Sequence, residues 1–273
     1  MTRIGDTSAE VENRVREILR VMPFHRKWQQ MGAIYHTGKV LFAMGFRLRR
    51  PEATDEEIQS AWLTTSLESN ISLPSGRFDV SSTNDNLRVL KEVIDAFTSL
   101  TIPYALGGSW ASSILGKMRF TLDADLSVEP FPGRELDLCG RFNEDYYISF
   151  EAVRDAVQRR SSFNIVDTIT GFKVDVFVRK DRPFEVSAMA RRRPYPLPGT
   201  PEQSIVCVTS EDIILFKLEW YRLGGESSGQ QWTDVLGVLD TQSDRLDQTY
   251  LDHWATDLGV SDLLSRAQQE ICS

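Results

Sequence analysis

The stretch RFTLDADLSV, residues 119–128, decides how this chain is read. Arg119, Thr121, Asp123, Asp125 and Ser127 alternate with Phe120, Leu122, Ala124, Leu126 and Val128. That is the two-residue period of a strand with one buried face. Same-face neighbours lie roughly 6–7 Å apart. At an effective dielectric near 20, two carboxylates at that spacing repel by about 2–3 kcal/mol. Asp is also a poor strand residue. The spacing therefore predicts that something elsewhere compensates Asp123 and Asp125.

The segment FNIVDTITGFKVDVFVRK, residues 163–180, supplies a third carboxylate. It reads as a hairpin turning at Thr170–Gly171, with Val174, Val176 and Val178 facing a core and Asp175 the other side. If this strand neighbours the first, Asp123, Asp125 and Asp175 converge. Three hard oxygen ligands suit Mg²⁺, and two such ions can clamp both oxygens of an in-line displacement. Three exposed aspartates on a solvated sheet face are the plainer reading of the same spacing. Upstream lies ALGGSWASS, residues 105–113. Gly107 and Gly108 allow a tight turn from strand to helix, and backbone N–H groups at that helix start can hold phosphate, with Ser109 adding a hydroxyl. Arg119 shares the face of Asp123 and reads either as a phosphate contact or as a surface arginine.

Composition bounds the answer. The chain has 273 residues, 41% of them hydrophobic, enough for one large domain or two ordinary ones. It holds no run of about 18 apolar residues and so no membrane span. MTRIGDTSAEVENR lacks an apolar signal core, so a cytoplasmic protein is expected. Cys139, Cys207 and Cys272 have no metal or disulfide spacing. Residues 1–75 hold 10 basic and 9 acidic side chains, a balance of +1, which leaves −9 for the rest of a chain whose total is −8. Such an acidic body is no general nucleic-acid coat. The basic runs, RLRR at 47–50, Arg159–Arg160 and Arg191, Arg192 and Arg193, read as solvated edges.

Residues 1–67 read as a helical module, with capping boxes at Thr7/Glu10 and Thr54/Glu57 and an apolar stripe of Met31, Ile34, Tyr35, Val40, Leu41 and Met44. Residues 68–84 read as a linker, rich in Ser, Asn, Pro and Gly. Residues 85–273 mix strands and helices, which predicts an α+β domain around a small mixed sheet, helical from about 209. In that helical part Thr209 or Ser210 caps a helix on which Lys217 projects from the side of Ile213, Ile214, Trp220 and Tyr221. A lysine there needs a partner or a route to water. Ser228 and Gln231 box-cap the next helix, which carries Asp234.

Taken together, Gly-Gly-Ser, a helix, Asp-x-Asp on a strand and a third Asp on a later strand resemble the nucleotidyltransferase superfamily of the DNA polymerase β type. RFTLDADL is similar to the R-x-T-x-D-x-D-L form of its bacterial branch, which includes the AbiEii and MenT toxin-like proteins. EDIILFKLEWYRLGGESSGQQWTDVLGVL, residues 211–239, is similar to a later motif of that branch. The resemblance implies transfer of a nucleoside monophosphate from an NTP to a hydroxyl acceptor, a tRNA end or a protein. It implies Gly107, Gly108, Ser109, Arg119 and Lys217 on the nucleotide. Two Mg²⁺ ions would sit on Asp123, Asp125 and Asp175, with Lys217 and Asp234 in the active site. GFRLRRPEATDEEIQSAWL, residues 45–63, resembles small helical proteins that accompany such enzymes, which implies a built-in partner packed on the catalytic domain, RLRR against an acidic surface. An aminoglycoside nucleotidyltransferase, suited by the −9 charge, and a non-catalytic nucleotide-binding protein are the alternatives.

Overall fold

The structure is a computed structural model that describes residues 9–68, 85–197 and 200–272. Thr7 of the first capping box and residues 69–84 of the expected linker lie outside the described residues.

Three helices open the chain: α1 (Ala9–Val21), α2 (Phe24–Arg49) and α3 (Asp55–Glu68). The Thr54/Glu57 box forms at the start of α3: Thr54 N donates to Glu57 Oε2 at 2.8 Å, and Glu57 N donates to Thr54 Oγ1 at 3.2 Å. Then come α4 (Asp85–Ser99), β1 (Tyr104–Leu106), α5 (Gly108–Leu115), β2 (Asp123–Val128), α6 (Glu135–Cys139) and β3 (Tyr146–Tyr147). The middle of the chain is α7 (Phe150–Arg159), β4 (Ser162–Asp167), β5 (Lys173–Val178), α8 (Pro183–Arg191), β6 (Arg193–Leu197) and β7 (Thr200–Cys207). Four helices close it: α9 (Ser210–Leu223), α10 (Gly229–Gln242), α11 (Gln248–Asp257) and α12 (Ser261–Ile271).

The strands form one mixed sheet in the order β3-β4-β5-β2-β1-β7-β6. It is flanked by helices, as an α+β chain requires, and at seven strands it is larger than the sequence indicates. The excess is the two-residue β3 together with β6 and β7, and in β6 Pro194 and Pro196 hide the strand pattern. Proline is tolerated there because β6 is an edge. Four neighbours decide the site. β2 pairs antiparallel with β1 and parallel with β5, and β5 pairs antiparallel with β4.

The alternation in β2 begins later than its sequence pattern. Strand pairing starts at Asp123, and from there Ala124, Leu126 and Val128 are fully buried. Residues 119–122 leave the sheet: Leu122 is 62% exposed, and the Phe120 ring packs edge-on against Trp62 of α3. Between β1 and β2 the uncharged α5 is buried almost throughout.

Leu41 and Met44 of α2 join the same buried cluster as Phe97, Trp110 and Ile114. Side chains of this size each contribute about 1.5–3 kcal/mol on full burial. The approach of α2 to α5 is close: a Cβ on Gly45 would lie 2.5 Å from the Ile114 carbonyl oxygen. Phe42, Ala43, Ile58 and Trp62 form a second cluster between α2 and α3. No helix among the described residues is long and apolar enough to cross a membrane.

Candidate active site

Parallel pairing of β2 with β5 puts Asp125 directly opposite Asp175 and Asp123 opposite Lys173. The three sequence-predicted carboxylates therefore share one patch. Asp175 is buried, whereas the Asp123 side chain is 41% exposed. Burial, then the charges of Asp123 and Asp175, push Asp125 up to about 7. Burial also holds Asp175 above the ordinary carboxylate range, against the opposing pull of Lys173 and Asn164.

The first turn of α5 closes over Asp125. Gly107 N donates to the Asp125 carbonyl at 2.8 Å, which clips the turn to the strand. Gly108 has a φ of +52°. A Cβ there would lie 1.7 Å from Asp125 Oδ2, inside any possible contact distance, so only glycine lets the helix start meet the carboxylate. Trp110, buried beneath, donates from Nε1 to the Asp123 carbonyl at 2.9 Å and fixes the start of β2 from behind. Thr121 Oγ1 donates to Asp123 Oδ1 at 2.8 Å.

A second group sits at the same helix start. Arg119 donates from Nε to Asp234 Oδ1 at 2.9 Å and from Nη2 to Ser109 Oγ. Lys217 Nζ donates to Asp234 Oδ2 at 2.7 Å. Lys217 and Asp234 are both buried. The partner that Lys217 needs is thus the Asp234 carboxylate, delivered by the packing of α10 on α9. Thr209 caps α9 by accepting from Asp212 N, and Ser228 caps α10 by accepting from Gln231 N. The reciprocal half of the Ser228/Gln231 box does not form: Gln231 Oε1 is buried without a partner. Arg119 is neither a strand residue nor a surface arginine, because it is folded back between Ser109 and Asp234.

Two polar residues of the site were not singled out from the sequence. Lys173 Nζ lies 2.5 Å from Asp175 Oδ2 and 3.9 Å from Asp123 Oδ2. Asn164 Nδ2 donates to Asp175 Oδ1. Both were legible in principle. Lys173 stands two residues before Asp175 on the same strand face, and the β4–β5 hairpin register sets Asn164 opposite Asp175. Lys173 supplies part of the compensation that the paired aspartates demand.

The three carboxylates can be tested against a divalent cation. Among the described residues, no group of three or more His, Cys, Asp or Glu side chains is gathered as a metal site. Asn164 donates to one oxygen of Asp175 and Lys173 to the other. Asp123 and Asp125, two adjacent carboxylates with raised mutual repulsion, fit one Mg²⁺ whose other ligands come from water and phosphate.

The basic runs fall elsewhere. Arg191 pairs with Glu211 at 2.9 Å and stacks 3.7 Å over the Tyr250 ring, so it joins α8 to α9 and α11 instead of forming a solvated edge. Arg192 donates to the Met189 carbonyl, and Arg193 begins β6. In RLRR, Arg47 pairs with Asp55, while the like charges of Arg245 and Arg50 act on Arg49.

No family model matches the chain, and no curated protein matches it. Among solved structures, it is similar to an antigenic nucleotidyltransferase-like protein from Paracoccidioides brasiliensis, with TM-score 0.44 and 18% identity over 68% of this chain and 93% of that one. It is also similar to the antibiotic-resistance factor ANT(2'')-Ia, with TM-score 0.40 and 13% identity over 67% of this chain and 92% of that one.

Proposed function

We propose that this chain is a Mg²⁺-dependent nucleotidyltransferase of the toxin-like kind, moving a nucleoside monophosphate from an NTP to a hydroxyl acceptor. The observation that carries the reading is the contact of the α5 start with Asp125, at a distance only Gly108 permits. It sets a phosphate-binding helix start against a carboxylate pair, the juxtaposition that a metal–triphosphate complex requires. Mg²⁺ held by Asp123 and Asp125 would neutralise triphosphate charge and polarise the α-phosphoryl group.

The chain's own residues then divide the work. Backbone N–H groups of the α5 start and the Ser109 hydroxyl receive phosphate oxygens. Arg119 and Lys217 bring positive charge to the same place, and Asp234 positions both. Asp234 therefore acts through its two cations and is a positioning residue. Asp175, its basicity raised by burial, takes the acceptor proton when Lys173 releases it. The acceptor oxygen forms a bond to the α-phosphorus as the bond to the β-phosphate oxygen breaks, and pyrophosphate leaves.

A tRNA end or a protein hydroxyl is the acceptor in this reading. The −9 balance outside residues 1–75 favours a second reading, in which a cationic aminoglycoside accepts the nucleotide. The test is incubation of the full chain with Mg²⁺ and each α-³²P-labelled NTP, together with total RNA, cell protein or an aminoglycoside. Label transfer to RNA or protein supports the first reading and transfer to the aminoglycoside the second. Absence of label in all three, with NTP still bound, leaves a nucleotide-binding protein without turnover.

A further inference from the structure

Two large aromatic side chains stand at the edge of the carboxylate patch and take no part in the buried cores. On β5, Val174, Val176 and Val178 are buried in the core, and Lys173, Asp175 and Phe177 share the opposite face. Phe177 is only partly buried. It stands one same-face step beyond Asp175, about 6.6 Å along the strand. Its cross-strand neighbours are Ser127 of β2 and Ser162 of β4, whose side chains are too small to cover a ring. The ring meets that of Trp220 on α9, which is also partly exposed, with centroids 6.4 Å apart. Among the described residues, this pair belongs to neither buried cluster and is not packed against either. The pair is tied to the carboxylates from two sides. On the strand, Phe177 follows Asp175 on one face. On α9, Trp220 follows Lys217 by three residues, about 4.5 Å along the axis, so both project from one side of the helix. Lys217 pairs with Asp234, and its charge acts on Asp125. α9 thus meets the polar face of the sheet at two points, Lys217 beside Asp125 and Trp220 beside Phe177.

We infer that Phe177 and Trp220 form the platform on which the base of the NTP stacks, an inference that rests on the nucleotidyltransferase reading above. One ribose separates a base from its α-phosphate, and the platform lies one same-face step from the carboxylates that hold the metal–phosphate complex in that reading. The two rings are inclined at 66°, so a base laid on the face of one meets the edge of the other, the arrangement that aromatic quadrupoles favour. Stacking of this kind accepts any of the four bases, since each has a π-face. The division of labour is then clear: the α5 start, Arg119 and Lys217 hold phosphate, and the aromatic pair holds the base.

The test uses the full chain in Mg²⁺, as wild type, Phe177→Leu, Trp220→Leu and Trp220→Phe, with two kinds of probe: the four NTPs and inorganic tripolyphosphate, which has no base. Titration calorimetry reads binding without reference to turnover, and thermal melting shows which variants are folded. Wild type is expected to bind at least one NTP more tightly than tripolyphosphate. Each leucine variant is expected to bind that NTP about five- to 150-fold more weakly and to bind tripolyphosphate as wild type does. Trp220→Phe, which keeps a ring, is expected to recover most of the loss. A purely structural role for the pair would weaken both probes together. That result, or unchanged NTP affinity in both leucine variants, overturns the platform while leaving the phosphate site standing. Wild type that binds neither probe overturns the nucleotidyltransferase reading, and the platform with it. Should Trp220→Leu fail to fold, Phe177→Leu carries the comparison.

Discussion

Asp125→Asn should make the protein more stable at pH 8 in the absence of divalent metal. Asp125 stands at about 7 in the fold against an ordinary value of 3.8. Its charged form is disfavoured there by burial and by two neighbouring carboxylates. Because the folded-state value is raised, the folded chain binds more protons than the unfolded chain between about pH 4 and 7. Stability therefore falls as pH rises through that window and stays lower above it. The interval is about three pH units at 1.36 kcal/mol each, an upper bound near 4 kcal/mol, and sharing the repulsion among three carboxylates reduces it to about 2–4 kcal/mol. Asn has nearly the same shape and carries no charge, so the variant escapes this loss. The assay is urea denaturation of both proteins in EDTA at pH 5 and pH 8. The stability gained by the variant should grow by about 2 kcal/mol or more between the two pH values. Mg²⁺ at a hundred times its Kd should then add about 2.7 kcal/mol to wild type at pH 8 and little to the variant. A variant that is less stable than wild type at pH 8, or a difference independent of pH, would refute the like-charge account of the site.

Gly108→Ala should lower stability by about 3 kcal/mol or more and abolish NTP binding, because the new methyl group meets Asp125 Oδ2 at a φ that L residues avoid; calorimetry and denaturation read both effects. Lys217→Met should cost about 3–5 kcal/mol by stranding part of the Asp234 charge in the interior, and adding Asp234→Leu should recover part of that stability while NTP affinity stays low. Lys173→Met should expose the compensating role of the lysine: stability in EDTA drops, and Mg²⁺ affinity measured without NTP rises as Asp175 becomes available. Leu41→Ala should cost about 2–5 kcal/mol in a single cooperative transition, since Leu41 shares a buried cluster with β-sheet residues; a separate early transition of the first helices would show that they fold apart from the sheet.

The positions that carry chemistry were readable because they obey short-range rules. A period of two put Asp123 and Asp125 on one face, the valines of β5 left Asp175 on the same side, and paired glycines before a helix marked a place where backbone must come close. Thr54, Thr209 and Ser228 announced helix starts through the donors that those starts leave unpaired. Period alone, however, names a face and not a neighbour. That β5 lies beside β2 in parallel is a matter of sheet order, and only that order sets Asp175 opposite Asp125 and brings Lys173 across to Asp123. The same limit explains Arg119, Asp234 and Lys217. Their separation in sequence gives no hint that one carboxylate serves both cations, which follows from how α10 packs on α9 against the start of α5. It also explains the first helices: their apolar stripe was plain, but an apolar stripe does not state what covers it. The tertiary structure sets Leu41 and Met44 into the core beside α5, because Gly45 lets the two helices approach to backbone contact.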